Sequence, residues 1–168
     1  EWAVNAGQSL PAYVKATPTM NGHALQVYVR TADAAHQDLV FFDPSESRIR
    51  LISINHQGTL HDEDISLKDG VWRFSGNRIN PDGTTKDLEA TLEFAADGNS
   101  FTFIDSDTGQ APQSWQRINN VESPPAGSEI FRDFAKKFSG MWVREAVRAT
   151  NWRGAMQAKG EKGFDCHQ

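Results

Sequence analysis

Residues 85–105 read TKDLEATLEFAADGNSFTFID, and their alternation decides the fold class. Leu88, Ala90, Leu92 and Phe94 fall on one face of an extended chain, and Asp87, Glu89, Thr91 and Glu93 on the other. That period of two is the mark of a strand with one face buried and one wet. Asp97-Gly98-Asn99 then supplies a turn, and Phe101 and Phe103 resume the apolar face on the next strand. The pair reads as a β-hairpin.

The same grammar extends in both directions. Upstream, strands are expected at His23–Arg30, Asp38–Asp43, Arg48–Asn55, Thr59–Leu67 and Val71–Asn77; downstream, one is expected at Ser114–Ile118. Turn residues separate them: Asn21-Gly22, Pro44-Ser45, Gln57-Gly58, Asp69-Gly70 and Pro81-Asp82-Gly83. Evenly spaced short strands joined by hairpin turns describe an antiparallel meander, which closes into a barrel or a sandwich to remove its open edges. Trp72 and Phe74 point inward with Arg73 and Ser75 outward, and each fully buried aromatic contributes roughly 1.5–3 kcal/mol. Arg48–Asn55 is apolar on both faces, with Ile49 and Leu51 opposed to Ile52 and Ile54. Its outer side is expected to be covered.

The character changes after Ile118. Pro124-Pro125 breaks the meander, and Ser128 then caps an amphipathic helix, EIFRDFAKKF, with Ile130, Phe131, Phe134 and Phe138 as its apolar stripe. This helix either plugs an end of the barrel or covers the doubly apolar strand. Met141–Trp152 is either a second helix or a strand, and residues 153–168 look frayed. The expected organisation is a barrel over 1–118, a Pro-containing linker over 119–127 and a helical extension over 128–168.

Composition sets further bounds. The chain has 168 residues, 10 Phe and 5 Trp, which suits one globular domain. A single cysteine, Cys166, excludes an intrachain disulfide and a cysteine-rich zinc site. No apolar run approaches the ~20 residues that span a bilayer. Residue 1 is Glu rather than Met, so export stays open, and the compartment (cytoplasm or periplasm) with it. Residues 1–125 carry 9 basic against 17 acidic side chains, a net of −8, and residues 126–168 carry 8 against 5, a net of +3. An acidic body repels phosphate backbones, so no nucleic-acid partner is expected. The basic tail is either a solvated helix or a surface that docks on the acidic body or pairs two chains.

The stretch DLVFFDPSESRIRLISINHQGTLHDEDISLKDGVWRFSGN, followed by PDGTTKDLEATLEFAADGNSFTF, resembles a family of small bacterial lipocalin-like domains of unknown function. The resemblance spans roughly residues 1–118 and rests on turn and core residues. It implies an antiparallel barrel with a central cavity, akin to lipocalins and fatty-acid-binding proteins. Glu1-Trp2 looks like the remainder of the family's Gly-x-Trp opening. Phe138-Ser139-Gly140-Met141-Trp142 echoes that opening, as a truncated second copy, as a segment completing the barrel, or by coincidence. Pro11 and Pro18 depart from the pattern by interrupting an early strand pair. A related lipocalin-like group binds haem through a late histidine, but no histidine lies between His61 and His167. Neither haem nor any other cofactor is therefore expected.

Candidate chemistry is sparse. On Thr59–Leu67 the face that carries Ile65 and Leu67 also carries His61 and Glu63. Facing inward, they form a cavity pair able to do acid–base work; otherwise HDED is a solvated strand end. Alternation sends Asp62 and Asp64 to the opposite side, so this run makes a poor metal site and none is expected. His23, His36 and His56 flank turns and are expected to be exposed. Tyr28, Arg30, Trp115 and Arg117 lie near strand ends, where arginines and aromatic walls can hold a ligand carboxylate. Trp72, Phe74, Phe101 and Phe103 would line any cavity. The leading expectation is non-enzymatic binding of a small apolar or amphipathic molecule. The alternatives are an isomerase, cyclase or hydrolase using His61 and Glu63, or an interaction module that dimerises through its tail.

Overall fold

A computed structural model describes residues 12–31, 35–106, 111–119 and 126–144. The strands are β1 (Tyr13–Thr19), β2 (Ala24–Arg30), β3 (Ala35–Asp43), β4 (Arg48–Asn55), β5 (Leu60–Lys68), β6 (Val71–Ile79), β7 (Thr85–Phe94), β8 (Ser100–Asp105), β9 (Gln113–Asn119) and β10 (Gly140–Arg144). One helix, α1 (Glu129–Phe138), lies between β9 and β10. The strands form a closed antiparallel barrel in the order β1-β10-β9-β8-β7-β6-β5-β4-β3-β2. The hairpin turns use the residues the sequence offers. Asp69 and Gly70 have φ of 55° and 80°, the left-handed pair of a two-residue hairpin, and Gly58, Gly83 and Gly98 also take positive φ.

The meander expected over 24–118 is present, but residues up to 118 do not close it. β10 pairs with both β1 and β9, joining Val14 to Trp142 and Trp142 to Arg117. The 138–142 echo therefore contains a strand that completes the barrel, and the barrel extends through Arg144. Gly140 opens β10 with φ 134°, a backbone that disfavours any residue with a Cβ. Pro18 does not interrupt β1, which pairs with β2 from Tyr13–Arg30 to Thr19–Ala24. Pairing with β10 stops at Ala16–Gly140, so Pro18 lies beyond the point where the second ladder needs an N–H.

α1 is a plug. Ser128 accepts the cap hydrogen bond from Phe131 N at 3.3 Å, and Glu129 sits in the first turn with Lys136 and Lys137 in the last. Phe131, Phe134, Ala135 and Phe138 are buried inside the barrel, whereas Ile130 is exposed at the edge of the stripe. Phe134 meets Trp72 edge-on at 4.9 Å and Phe74 at 6.4 Å; Phe138 lies 5.6 Å from Phe101. Because α1 sits inside, it does not cover β4. Ile52 and Ile54 remain 43% and 52% exposed, so the strand expected to be covered is bare among the described residues. With Met20, Leu39 and Leu60 they line an outer groove of about 450 Å³.

Candidate functional site

α1 joins the end of β9 to the start of β10, so it occupies the end of the barrel where those two termini lie. The opposite end has no helix among the described residues, and there the inward face turns polar. Strand alternation places the polar groups. On β3, Asp38 shares the inward face with Val40 and Phe42; on β4, Ser53 shares it with Ile49 and Leu51. On β5, Glu63 and Ile65 are buried and His61 is half-buried beside them. Register then aligns the strands. Asp38 pairs with Ser53 and Ser53 with His61, so the three cross β3, β4 and β5 in one row. Glu63 pairs with Leu51 one layer deeper.

Three of these groups are buried: Asp38 is 8% exposed, Ser53 4% and Glu63 6%. The Glu63 carboxylate meets His61 Nδ1 at 3.1 Å, and Asp38 faces His36 Nε2 at 3.7 Å. Burial pushes the Asp38 carboxyl above its ordinary 3.8 because the charged form loses its water. The His36 imidazole, a hydrogen bond from Ser53 and the more distant His61 pull the other way, and the Glu63 charge adds to the rise. The layers beneath are apolar: Val40, Leu51 and Leu88, then Ile49, Ile65, Phe74 and Ala90. Gly76, opposite Glu63, contributes no side chain. A Cβ there would lie 2.0 Å from the Asp62 carbonyl, so the close approach of β5 and β6 requires glycine.

The inward reading of His61 and Glu63 is the one the structure adopts, and HDED divides as alternation requires. Asp62 and Asp64 face out and pair with Arg50 (2.7 and 2.9 Å to its two oxygens) and Arg48. Among the described residues no His, Cys, Asp or Glu group is arranged to hold a metal. His56 is exposed at its turn, whereas His36, expected there too, lies on the inward face of β3 at the rim. Asp38 and Ser53 escaped the sequence reading. Their signal was the one used on β5, a polar residue at the inward parity of an apolar strand.

The proposed aromatic and arginine contacts divide. Tyr28 and Arg30 are exposed, because β2 turns Leu25 and Val27 inward and every second residue from Gln26 outward. They cannot line the interior; the Tyr28 ring lies 5.9 Å from Tyr13 instead. Trp72, Phe74, Phe101 and Trp115 are buried, with Phe103 partly buried beside them. Phe101 stacks on Trp115 at 5.9 Å and meets Trp142 at 4.8 Å, so these rings belong to the plugged interior. Arg117 lies over the Trp142 ring at 4.3 Å and donates to the carbonyl of Lys137, one residue before the end of α1. A cation there suits the helix dipole. Burial pulls Arg117 below its ordinary value, and its placement ties the plug to the wall.

Comparison of the chain with protein-family models, with curated proteins and with solved structures finds no match.

Proposed function

We propose that the barrel binds a small amphipathic molecule at the end opposite α1. The polar part of the ligand meets Asp38, Ser53, His61 and Glu63, and its apolar part lies toward Val40, Leu51 and Ile65. One observation carries this reading: three nine-tenths-buried polar side chains stand on the inward face of a barrel whose other layers are apolar. Burying a carboxylate costs free energy unless it is paired, and a structural role alone calls for none. The resemblance to bacterial lipocalin-like domains supports the same reading. It moves the polar contact from Arg30 and Arg117 to the β3–β5 row, because those arginines lie outside and at the plug.

Titration with decanol, decanoate and decylamine, followed by thermal unfolding, tests the proposal. Saturable stabilisation by at least one of them is expected, about 2.7 kcal/mol at a hundred times Kd. Ser53→Leu, which puts a bulky apolar side chain between Asp38 and His61 in the row, is expected to weaken that ligand at least tenfold. Absence of saturable stabilisation by all three overturns the reading.

A further inference from the structure

Donors and acceptors do not balance around Asp38 and Glu63 at the end opposite α1. Ionised Asp38 and Glu63 present four acceptor oxygens and no donor. Ser53 supplies one hydrogen bond to Asp38, and His61 Nδ1 supplies one to Glu63 at 3.1 Å. His36 Nε2 stands 3.7 Å from Asp38, beyond hydrogen-bond length. No lysine or arginine among the described residues forms an ion pair with either carboxylate. Arg48 and Arg50 are engaged on the outer face with Glu46, Asp64 and Asp62. Arg78 on β6 and Lys86 on β7 continue the row beyond His61, on the side away from Asp38, and neither forms an ion pair with Asp38 or Glu63. β2 opposes Asp38 with Val27, which brings no charge. Neither of these carboxylates, each more than nine-tenths buried, thus has a lysine or arginine partner, and their four oxygens outnumber the N–H and O–H groups that reach them.

From this imbalance we infer that the barrel end opposite α1 selects a primary amine: an amphiphile whose protonated nitrogen donates to Asp38 and Glu63 while its chain enters the apolar layers. The inference rests on the ligand-binding reading above and names the ligand class. An ammonium group carries three donors and one positive charge, which is what the two carboxylates lack. A carboxylate head meets repulsion from both acids, and an alcohol offers a single donor and no charge. Binding of the cation also favours the ionised form of Asp38, so affinity rises with pH through the Asp38 titration and the complex releases a proton. His36, His61 and Glu63 are the other ionisable groups that face Asp38 in this cluster, with Arg78 and Lys86 farther along the row.

The test is calorimetric titration of the intact chain with decylamine, decyltrimethylammonium, decanol and decanoate at neutral pH, in buffers of different ionisation enthalpy. Decylamine is expected to bind at least tenfold more tightly than the other three. Decyltrimethylammonium has the charge without the N–H groups, so its weakness reports the hydrogen bonds. Asp38→Asn and Glu63→Gln, each checked for native circular dichroism, are expected to lose at least tenfold in decylamine affinity with decanol unchanged. Decanol or decanoate binding as tightly as decylamine overturns the inference and leaves the ligand-binding reading standing. Equal binding of decyltrimethylammonium overturns it too, as does an unchanged decylamine affinity in both variants. If none of the four binds, both readings fall together.

Discussion

The two ends of this barrel are made by the same strands and filled by opposite means. At one end Phe131, Phe134 and Phe138 of α1 enter the interior and meet Trp72, Phe74, Phe94, Phe101 and Trp142. At the other, β3, β4 and β5 turn Asp38, Ser53, His61 and Glu63 onto the faces that carry Val40, Leu51 and Ile65 one step away. The first end gains stability from every ring it buries. The second gives some up, since ionised carboxylates lose hydration there and recover only part of it from neighbours. The contrast teaches that stability is distributed unevenly along the barrel axis.

The largest effect should come from breaking the plug. Phe134 is completely buried and contacts both Trp72 and Phe74. Phe134→Ala removes a core aromatic and leaves a cavity, a loss of about 3–5 kcal/mol. Urea unfolding measures it, and the midpoint should fall with the slope unchanged. A loss under 1 kcal/mol would show that α1 is dispensable and the contrast between the ends is false. A smaller effect at the same end comes from Ser128→Ala, which removes the acceptor of the Phe131 N–H and should cost about 1 kcal/mol. The same unfolding curves report it, and an unchanged midpoint would mean the helix holds its place by burial alone.

Much of this architecture was legible, for reasons that differ between the ends. Thr85–Phe94 and its turn at Asp97-Gly98 carried period-2 alternation and turn chemistry, both local signals, and β7 and β8 form where those signals place them. α1 spans the residues its cap and aromatic stripe mark out. β10 was ambiguous because five residues hold too little periodicity to separate helix from strand; its identity comes from the two partners it pairs with, which lie a hundred residues apart. The polar row was half legible. His61 and Glu63 sit two apart on one strand, so alternation alone brings them together. Asp38 and Ser53 join them only through register across three strands, and register is not written in any one of them. Tyr28 and Arg30 were misplaced because a position near a strand end gives no parity, and the parity of β2 sends both outward.

The smallest effect sharpens the comparison from the polar end. Burial raises the Asp38 carboxyl above 3.8, its ordinary value. The native state therefore holds that proton to higher pH than the unfolded chain does. The contribution of Asp38 to stability is greatest below 3.8 and is lost as pH rises through the folded value. Asp43 and Asp82 act with the opposite sign: Ser45 and Thr84 hydrogen bonds lower them, so they lose stability as pH falls. A difference curve between wild type and Asp38→Asn cancels those two groups and isolates the buried acid. Relative to wild type, the variant should gain stability as pH rises above 3.8, level off once pH has passed the folded-state value of Asp38, and show no gain below 3.8, where both side chains are uncharged. Thermal midpoints across that range measure it. A flat difference would mean that Asp38 ionises in the barrel as freely as in water, and the polar end would then carry no cost of burial to set against the plugged one.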